Sequence, residues 1–393
     1  MTMTPSTSEL MRLISRLGSL LQSNFASQAF TGFDGFVDKI QKVVKRKLGE
    51  TDIFFRTITE FSGHLHSLAA KSGQLELVTS KISAGGNAPI LSNAFGKLGV
   101  RSFCLGSMGT PVHSAFKQIH PYAELISVAA PGQSQALEFN DGKIILSELD
   151  SFFGYDWKYI KSKVDLSKIK EVISSCQLIA LVDWANLPHA SDIWQGILQD
   201  IIKPGKKRDL FFLFDLCDPS KKSAEEIDEV VDLISSFSPY GKVTLVLNEN
   251  EANKIWMALN GHDLMTTNSR VNLPPLHDIG SSIFQTMVID TLLIHPIDCT
   301  LAFQKHKALE LNGRVVMKPK VLTGGGDNLN AGYSLGLMDG MDISQCMLLG
   351  MATSGAYVQN GECPGLEDLI NYLDNWLRET KTQSKTVEQS LWQ

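Results

Sequence analysis

The sequence of 393 residues lacks the features that mark membrane, nucleic-acid-binding and disulfide-rich proteins. No apolar run approaches the ~18 residues that suggest a membrane span. The formal net charge is -6, and the short basic run at 42–47 is typical of a solvated helix face, so we expect no nucleic-acid partner. The six cysteines are scattered without a C-x-x-C pair, which predicts reduced thiols in a cytoplasmic protein.

The N-terminus also lacks the continuous apolar stretch and small-residue cleavage site of a secretory signal. Apolar residues recur there at helical spacing, which predicts a helix that docks on the rest of the chain. Few acids and several Ser, Thr and Arg leave a transit peptide as the alternative. The periodic residues are Leu10, Ile14, Leu17 and Leu21. The predicted units are an N-terminal helical extension at 1–27, a main domain at 28–380 and a C-terminal tail at 381–393.

Short apolar runs alternate with helical patterns along the second half of the chain. Buried strands separated by helices are typical of a parallel, doubly wound α/β sheet. The four clearest runs are 178–184, 210–216, 243–248 and 290–297.

Two stretches of the first half alternate apolar and polar residues instead. Residues 134–149 do so on both sides of Asn-Asp-Gly at 140–142, which predicts a β-hairpin, and 75–84 predicts a further strand. We therefore expect a small antiparallel element beside the α/β body. A second hairpin is predicted at 308–317, with Asn-Gly at 312–313 as its turn.

The run VLTGGGDNLNAGY at 321–333 places three glycines and one carboxylate before a helical pattern. Backbone N–H groups at a helix start can surround an anion closely when no side chains intervene. Asp327 beside such a cradle is a candidate general base. The simpler interpretation is a glycine turn with Asp327 as the helix N-cap. A P-loop and a Rossmann fingerprint are excluded by the missing Lys and by Leu329 in place of the third glycine.

Two further motifs place polar groups where open α/β sheets bind ligands. GFDGFVD at 32–38 carries Asp34 and Asp38, whose carboxylates could accept hydrogen bonds from the hydroxyls of a polyol, although a solvated turn is the alternative. In SAGGNAPILSNAFGKLG at 83–99, two glycines allow close approach of the backbone to a ligand, and Asn87 offers a donor and an acceptor.

In LNENEA at 247–252, Asn248 and Glu251 end a strand and begin a helix. A capping pair explains this spacing by itself. The functional interpretation places both side chains near a hydrated Mg²⁺ and nucleotide phosphates, because Mg²⁺ keeps most of its waters. His64 and His66 lie in a helical pattern and are interpreted as surface residues.

In this order, the motifs resemble those of the ribokinase-like sugar kinases, also called the phosphofructokinase-B carbohydrate kinase family. TGGGDNLNAGY resembles the signature T-G-A-G-D-x-F-x-A-G-F, and GGNAPILSNAFGKLG is similar to the N-terminal glycine signature of that family. NENE matches its N-x-x-E pattern, and GFDGFVDKI resembles its first strand. The resemblance spans roughly residues 28–375.

The resemblance implies an α/β fold, a ribokinase-like three-layer sandwich with a mostly parallel central sheet and a small β lid near 75–84 and 134–149. It implies an ATP- and Mg²⁺-dependent kinase that phosphorylates a hydroxymethyl group of a small sugar or sugar derivative. Gly324, Gly325 and Gly326 would form the anion hole, and Asp327 would be the base. The implied contacts are Asn248, Glu251, Thr323, Gly324 and Gly326 for the nucleotide, Asp34, Asp38, Gly85, Gly86 and Asn87 for the sugar, and Glu251, through water, for Mg²⁺.

Several questions stay open at this point. Ile90 stands where the glycine signature has Asn, which leaves the sugar undefined, and GFDGFVDKI also resembles the archaeal ADP-dependent kinases, which leaves ADP possible as donor. A nucleoside kinase on the same fold is the alternative function. A carbohydrate-sensing regulator without turnover is a third, against which Asp327 beside intact glycines argues.

The lid strands also predict a homodimer. Their apolar residues share one face, which a bound sugar is too small to cover, and uncovered strand edges invite pairing with a second copy. The alternative is that residues 50–72 or the N-terminal segment cover this face. The residues are Val78, Ile82, Leu137, Phe139, Ile144 and Leu146.

Overall fold

The computed structural model describes residues 4–23, 26–205, 209–264, 272–321 and 323–390, with side chains of the last helix described to residue 382. The strands are β1 (Gln28–Gly32), β2 (Phe36–Leu48), β3 (Thr51–Phe54), β4 (Glu76–Gly85), β5 (Arg101–Gly106), β6 (Ala123–Ser127), β7 (Gly132–Phe139), β8 (Gly142–Glu148), β9 (Leu178–Val182), β10 (Leu210–Asp215), β11 (Gly241–Asn248), β12 (Thr291–His295), β13 (Cys299–Gln304) and β14 (Lys307–Asn312). The helices are α1 (Thr7–Gln22), α2 (Ile58–Ser67), α3 (Asn87–Lys97), α4 (Trp157–Lys163), α5 (Leu166–Ser175), α6 (Ala190–Ile197), α7 (Ala224–Ser235), α8 (Glu249–Leu259), α9 (Leu276–Thr286), α10 (Gly325–Met338), α11 (Ile343–Asn360) and α12 (Leu366–Ser390).

A nine-stranded sheet forms the middle layer, in the order β14-β13-β12-β11-β10-β9-β1-β5-β6. Seven of its strands, from β6 to β12 along this order, run parallel, and β13 and β14 add an antiparallel hairpin at one edge. The continuous apolar runs of β9 to β12 are buried because helices cover both faces of the sheet. The four predicted strands of the second half are confirmed.

Helices pack on both faces and complete a three-layer sandwich. One apolar cluster joins the sheet to α4 through α9, with Ile193, Val230 and Ile255 among its fully buried members. The second joins the opposite face to α1, α3, α10, α11 and α12, with Leu91 and Leu349 among its members. The predicted fold class is confirmed.

Helix α1 packs against α12 and α11, and so belongs to the second apolar cluster. Its start is closed by a capping box, in which Ser6 and Glu9 each accept a hydrogen bond from the other's backbone N–H. The predicted docking face is partly wrong, since Leu21 is 46% exposed. The buried face of α1 consists of leucines spaced three and four residues apart. The buried leucines are Leu10, Leu13, Leu17 and Leu20.

A smaller sheet contains β3, β2, β7 and β8 in that order, with β4 also paired to β2. The predicted hairpin at 134–149 is confirmed by β7 and β8, and the predicted strand at 75–84 by β4. The basic run at 42–47 lies on β2, so its assignment to a helix is wrong. Val43 and Val44 inside this run are buried, and β-branched residues flanked by exposed lysines fit an outer strand.

Helix α2 covers one end of this small sheet. Phe61 of α2 stacks on Phe139, with ring centroids 5.4 Å apart, and Leu137 and Ile144 belong to the same apolar cluster. The other end of this face has no such cover within the part of the chain described, since Ile82 is 51% exposed and Leu146 is 53% exposed. Residues 50–72 therefore cover only part of the predicted apolar face.

The second predicted hairpin, at 308–317, is wrong. Strand β14 pairs backwards with β13, and the turn lies at 305–306, between Gln304 and Lys307. The Asn-Gly pair instead ends β14, where the backbone N–H of Gly313 donates to the carbonyl of Asp298 at 2.7 Å. The Asn-Gly pair favours a hairpin turn by itself, and the pairing of β14 with β13 overrides that local preference.

Candidate active site

The polar residues of the predicted motifs meet at the carboxyl edge of the central sheet. Parallel strands end there together, so side chains distant in sequence become neighbours. The starts of helices α3, α8 and α10 lie at the same edge. Helix α8 follows β11 directly, α3 is bound by Asp34 after β1, and α10 contacts Asp215 at the end of β10 through Asn330. This edge contains the glycine run, Asp34 of GFDGFVD, the Gly-Gly-Asn segment and N-x-x-E, whereas Asp38 lies in the small sheet.

The glycine run forms the start of α10 without a side-chain cap. Gly324 is the N-cap and has a left-handed φ of 83°, which favours glycine. A Cβ there would also lie 2.8 Å from the hydroxyl of Tyr357. At Gly326 a Cβ would be 3.6 Å from Cε1 of His295, so the missing side chains leave space beside the first N–H groups of the helix. Thr323 precedes this turn and is exposed.

Asp327 occupies the third position of α10 and does not cap it. It is only 7% exposed, and its Oδ1 has no hydrogen-bond partner within the described part of the chain. Burial raises the pKa of Asp327 well above its ordinary value, and the charges of Asp215 and Asp183 raise it further, whereas the side chain of Asn87 lowers it. The simpler interpretation, an Asp N-cap, therefore does not account for this carboxylate.

Asp34 is fully buried at the end of β1 and binds the start of α3. Its two carboxylate oxygens accept hydrogen bonds from the backbone N–H groups of Asn87, at 2.6 Å, and Ala88, at 2.8 Å. Gly86, with φ of 91°, allows this approach, since a Cβ there would lie 2.5 Å from Asp34 Oδ2. Asp34 therefore positions the Gly-Gly-Asn segment, although burial and the nearby Asp183 raise its pKa.

Asp38 lies in the small sheet, on β2 between β4 and β7. Its Oδ1 accepts a hydrogen bond of 2.6 Å from Ser134 Oγ on β7. Gly85 of β4 presses against its carboxylate, so that a Cβ at position 85 would overlap it. Burial raises the pKa of Asp38, and Ser134 and Lys143 act in the opposite direction. Sequence analysis missed Ser134, which the alternating pattern of the hairpin could have indicated.

Asn248 and Glu251 form the capping box at the start of α8. The Glu251 carboxylate accepts from the Asn248 backbone N–H at 2.9 Å and from its Nδ2 at 2.7 Å. Burial and the charge of Asp215 raise the pKa of Glu251 to about 8. Both oxygens of this carboxylate are already hydrogen-bonded, so it is suited to contact a hydrated ion rather than a bare one.

Sequence analysis missed three side chains at the ends of buried strands. Asp183 follows β9 with a left-handed φ of 58°, and its buried Oδ2 has no partner among the described residues. Asp215 ends β10, accepts from Asn330 Nδ2 at 2.8 Å and has its pKa raised by burial to about 6. His295 ends β12, where burial lowers its pKa to about 4. Each follows an apolar run, which is the signal that could have found them.

The predictions for His64 and His66 and for membrane spans concern parts of the chain outside this edge. His64 and His66 lie on α2, and the described residues contain no group of three or more His, Cys, Asp and Glu side chains able to hold a metal ion. None of the described helices is both long and apolar enough to cross a membrane.

Comparisons with known proteins match most of the chain, including all of the motifs at this site. The family model described as prokaryotic ketohexokinase matches residues 19–376. A protein named ketohexokinase from Haloferax volcanii is 23% identical over 357 residues, which cover 88% of this chain and 90% of that protein.

Solved structures of low sequence identity share the fold. Ribokinase from Thermotoga maritima has a TM-score of 0.59 at 12% identity, with 89% of this chain and 100% of that chain covered. Arabidopsis thaliana ribokinase, solved with ribose and ATP, has 0.58 at 13%, with coverage of 89% and 99%. Adenosine kinase from Sinorhizobium meliloti has 0.59 at 13%, again with 89% and 99% covered.

Proposed function

Because the chain belongs to the prokaryotic ketohexokinase family and is a sugar kinase, for which the family implies ATP, we propose that it transfers the γ-phosphate of ATP to a hydroxymethyl group of a ketohexose. The match over 88% of the chain to a protein named ketohexokinase supports this choice of sugar. The neighbours among sugar and nucleoside kinases support only the fold, since their identities are low.

The observation that carries the proposal is the buried Asp327 beside three glycines. Its unpartnered Oδ1 can accept the proton of the sugar hydroxyl, while the oxygen attacks the γ-phosphorus and ADP leaves. The N–H groups of Gly325 and Gly326, at the positive end of α10, would stabilise the charge on the transferring phosphoryl group. A raised pKa makes the Asp327 carboxylate a stronger base in its ionised form, which is the form that accepts the proton.

At the sugar end, we assign the hydroxyl contacts to Asp38, Gly85, Gly86 and Asn87. Ser134 holds the Asp38 carboxylate in place, as described above. Asp34 is assigned an indirect role, because both of its oxygens are taken by the start of α3. The buried, unpartnered Oδ2 of Asp183 is a further acceptor for a hydroxyl.

At the nucleotide end, we assign phosphate contacts to Asn248, Thr323 and the glycines. Glu251 would hold a hydrated Mg²⁺ through water, which fits its occupied oxygens and the lack of a three-ligand cluster among the described residues. When bound, Mg²⁺ would neutralise phosphate charge.

The experiment is a coupled assay of ADP release from ATP over ketohexoses, aldohexoses, sugar phosphates and nucleosides. A parallel series with ADP as donor, following AMP release, settles the donor. We expect the highest kcat/KM with a ketohexose and ATP. Turnover of nucleosides without turnover of ketohexoses would favour the nucleoside kinase alternative, and no turnover with any acceptor would favour a regulator.

We also propose that the small sheet is a lid over the sugar and joins two copies of the chain. Ile82 and Leu146 share its uncovered face, and β8 has no second strand beside it among the described residues. Light scattering at micromolar concentration tests this with Ile82 and Leu146 both changed to Ser. We expect a dimer for the wild type and a monomer for the variant, and a monomeric wild type contradicts the proposal.

A further inference from the structure

Cys217 is a thiol in the middle of the site that the proposed reaction does not use. It follows β10 with a left-handed φ of 59°, which is uncommon for a residue with a side chain. Its backbone N–H donates to Asp215 Oδ1 at 3.1 Å, and its Sγ lies 3.4 Å from Oδ1 of Asn87. The thiol therefore contacts a residue assigned to the sugar, and through it lies close to the base.

The surroundings of Cys217 keep it protonated. Burial raises the pKa of this thiol well above its ordinary value, and the charges of neighbouring carboxylates raise it further. A thiol with a raised pKa stays protonated near neutral pH, so it is a poor nucleophile but can act as a weak S–H donor. The carboxylates are Asp183, Asp215, Glu251 and Asp327.

The backbone of Asn87 is fixed, whereas its side-chain amide can adopt two orientations. Its backbone N–H is held by Asp34, whereas its amide can present either oxygen or NH₂ to a neighbour. With Oδ1 accepting the S–H of Cys217, the NH₂ group is the part of the amide left for Asp327, whose pKa the Asn87 side chain lowers by hydrogen bonding. The reversed amide would place oxygen against the carboxylate and leave the thiol without an acceptor.

The orientation of the Asn87 amide matters because burial and the neighbouring carboxylates both favour the protonated form of Asp327. Asn87 lowers the pKa of Asp327, whereas burial and three carboxylates raise it. The groups coupled electrostatically to Asp327 are Asn87 from α3, Asp183 after β9, Asp215 and Cys217 at β10, Glu251 from α8, Tyr357 from α11 and Cys363 after α11.

We propose that Cys217 is a positioning residue, whose S–H holds the Asn87 amide with its NH₂ group toward Asp327 and so keeps the base ready to accept a proton. This inference rests on the proposed role of Asp327 as general base. It assigns no covalent chemistry to the thiol.

The test compares Cys217→Ala, Cys217→Ser and the matched control Cys299→Ala, since Cys299 is likewise a half-buried residue and lies on β13 with no assigned role in the site. For Cys217→Ala we expect the acid limb of kcat/KM for the sugar to move up by roughly half to one pH unit. The kcat at pH 7 should fall about 3- to 10-fold and recover at higher pH, with KM for ATP unchanged. Serine retains a donor and should restore the wild-type profile, and Cys299→Ala should match the wild type.

Two further variants separate positioning from a structural role. Cys217→Gly suits the left-handed backbone and should raise the Tm, yet it should shift the pH profile as Ala does. On an Asn87→Ala background, Cys217→Ala should cause no further shift. An unshifted Cys217→Ala profile, a Ser variant that behaves like Ala, or an equal shift on the Asn87→Ala background would overturn the inference.

Failure of the proposed function would be recognised separately. If the wild type phosphorylates no sugar, the proposed function fails, but the protonation of Asp327 can still be followed by infrared difference titration against Asp327→Asn. A carboxyl titration that moves to higher pH in Cys217→Ala then supports the positioning role, and an unmoved titration refutes it.

Discussion

Helices α1 and α10 begin in opposite ways. Helix α1 starts with a capping box, in which the backbone N–H groups of Ser6 and Glu9 each donate to the side chain of the other residue. Helix α10 starts at Gly324 with no side-chain cap, and the carboxylate in its first turn, Asp327, has an oxygen without a partner among the described residues. Both helices pack against the same apolar cluster, so burial alone does not explain the difference.

The difference indicates that the start of α1 contributes to stability, whereas the start of α10 is arranged to bind a ligand. A closed helix start lowers the free energy of the folded state by itself, whereas an open one leaves N–H groups available for an anion. Around α10, Asp183 and Cys217 also have left-handed backbones, and three carboxylates have raised pKa values. Strain and unsatisfied groups of this kind are typical of sites completed by a ligand.

The largest effect is expected from Asp327→Asn. Loss of a general base lowers kcat by about 10²–10⁴-fold, whereas nucleotide affinity and fold should be retained because the amide has nearly the same shape. Steady-state kinetics and calorimetric titration with ATP measure both quantities. Asp228→Asn, an exposed change on α7, is the control. A variant that retains most of its kcat would show that Asp327 is not the base.

Gly326→Ala should separate activity from stability. A methyl group fits beside His295 in the free protein, and Ala favours a helix over Gly by up to about 1 kcal/mol, so the Tm should not fall. The methyl group would occupy the anion cradle and lower kcat at least ~10-fold, using the magnitude for a lost oxyanion donor as a guide.

The control is Gly63→Ala on α2, where a Cβ meets nothing within 4 Å. It should share the gain in stability without the loss of activity. Wild-type kcat in Gly326→Ala would remove the glycine cradle from the mechanism.

Ser6→Ala at α1 should lower stability without affecting activity, the opposite of Gly326→Ala. Loss of the N-cap should lower the free energy of unfolding by about 1 kcal/mol and leave kcat and KM unchanged, because α1 contributes no residue to the site. Chemical denaturation and the sugar kinase assay measure this pair of outcomes, with Ser19→Ala on the exposed side of α1 as control. A fall in kcat would indicate that α1 acts on the site.

The smallest effect is expected from pH. The folded-state pKa of Asp215 is raised to about 6 and that of Glu251 to about 8, above their ordinary values of 3.8 and 4.5. The stability that these protonated groups contribute is therefore present below the ordinary values and is lost as pH rises toward 8. The ligand-free protein should have a higher Tm at pH 6 than at pH 8.5, by roughly 1–3 °C.

Glu251→Gln should reduce this pH dependence by raising the Tm at pH 8.5. Glu249→Gln, an exposed neighbour on the same helix, should leave it unchanged. An identical pH dependence in wild type and Glu251→Gln would contradict the raised pKa.

Much of the fold and the position of the site could be predicted from local sequence. The apolar runs of β9 to β12 are long enough to mark buried strands, and the hairpin at 134–149 carries its own turn signal. The hairpin predicted at 308–317 is wrong because the local turn signal of Asn312-Gly313 does not report that β14 pairs with the preceding strand, β13. The helix predicted for the basic run at 42–47 is wrong because the exposed lysines fit a helix or a strand, whereas the two buried, β-branched valines favour a strand.

The sequence by itself determined the cradle and the carboxylate beside it, since glycines and an aspartate in one short run need no distant partner to be recognised. Only the tertiary structure decided which acids surround that carboxylate, that Asp34 is occupied by the start of α3, and that Cys217 lies against Asn87. The physical reason is that desolvation and charge act through space. The pKa of Asp327 depends on Asp183 and Asp215, more than 100 residues away in the chain, which meet it only where parallel strands end together.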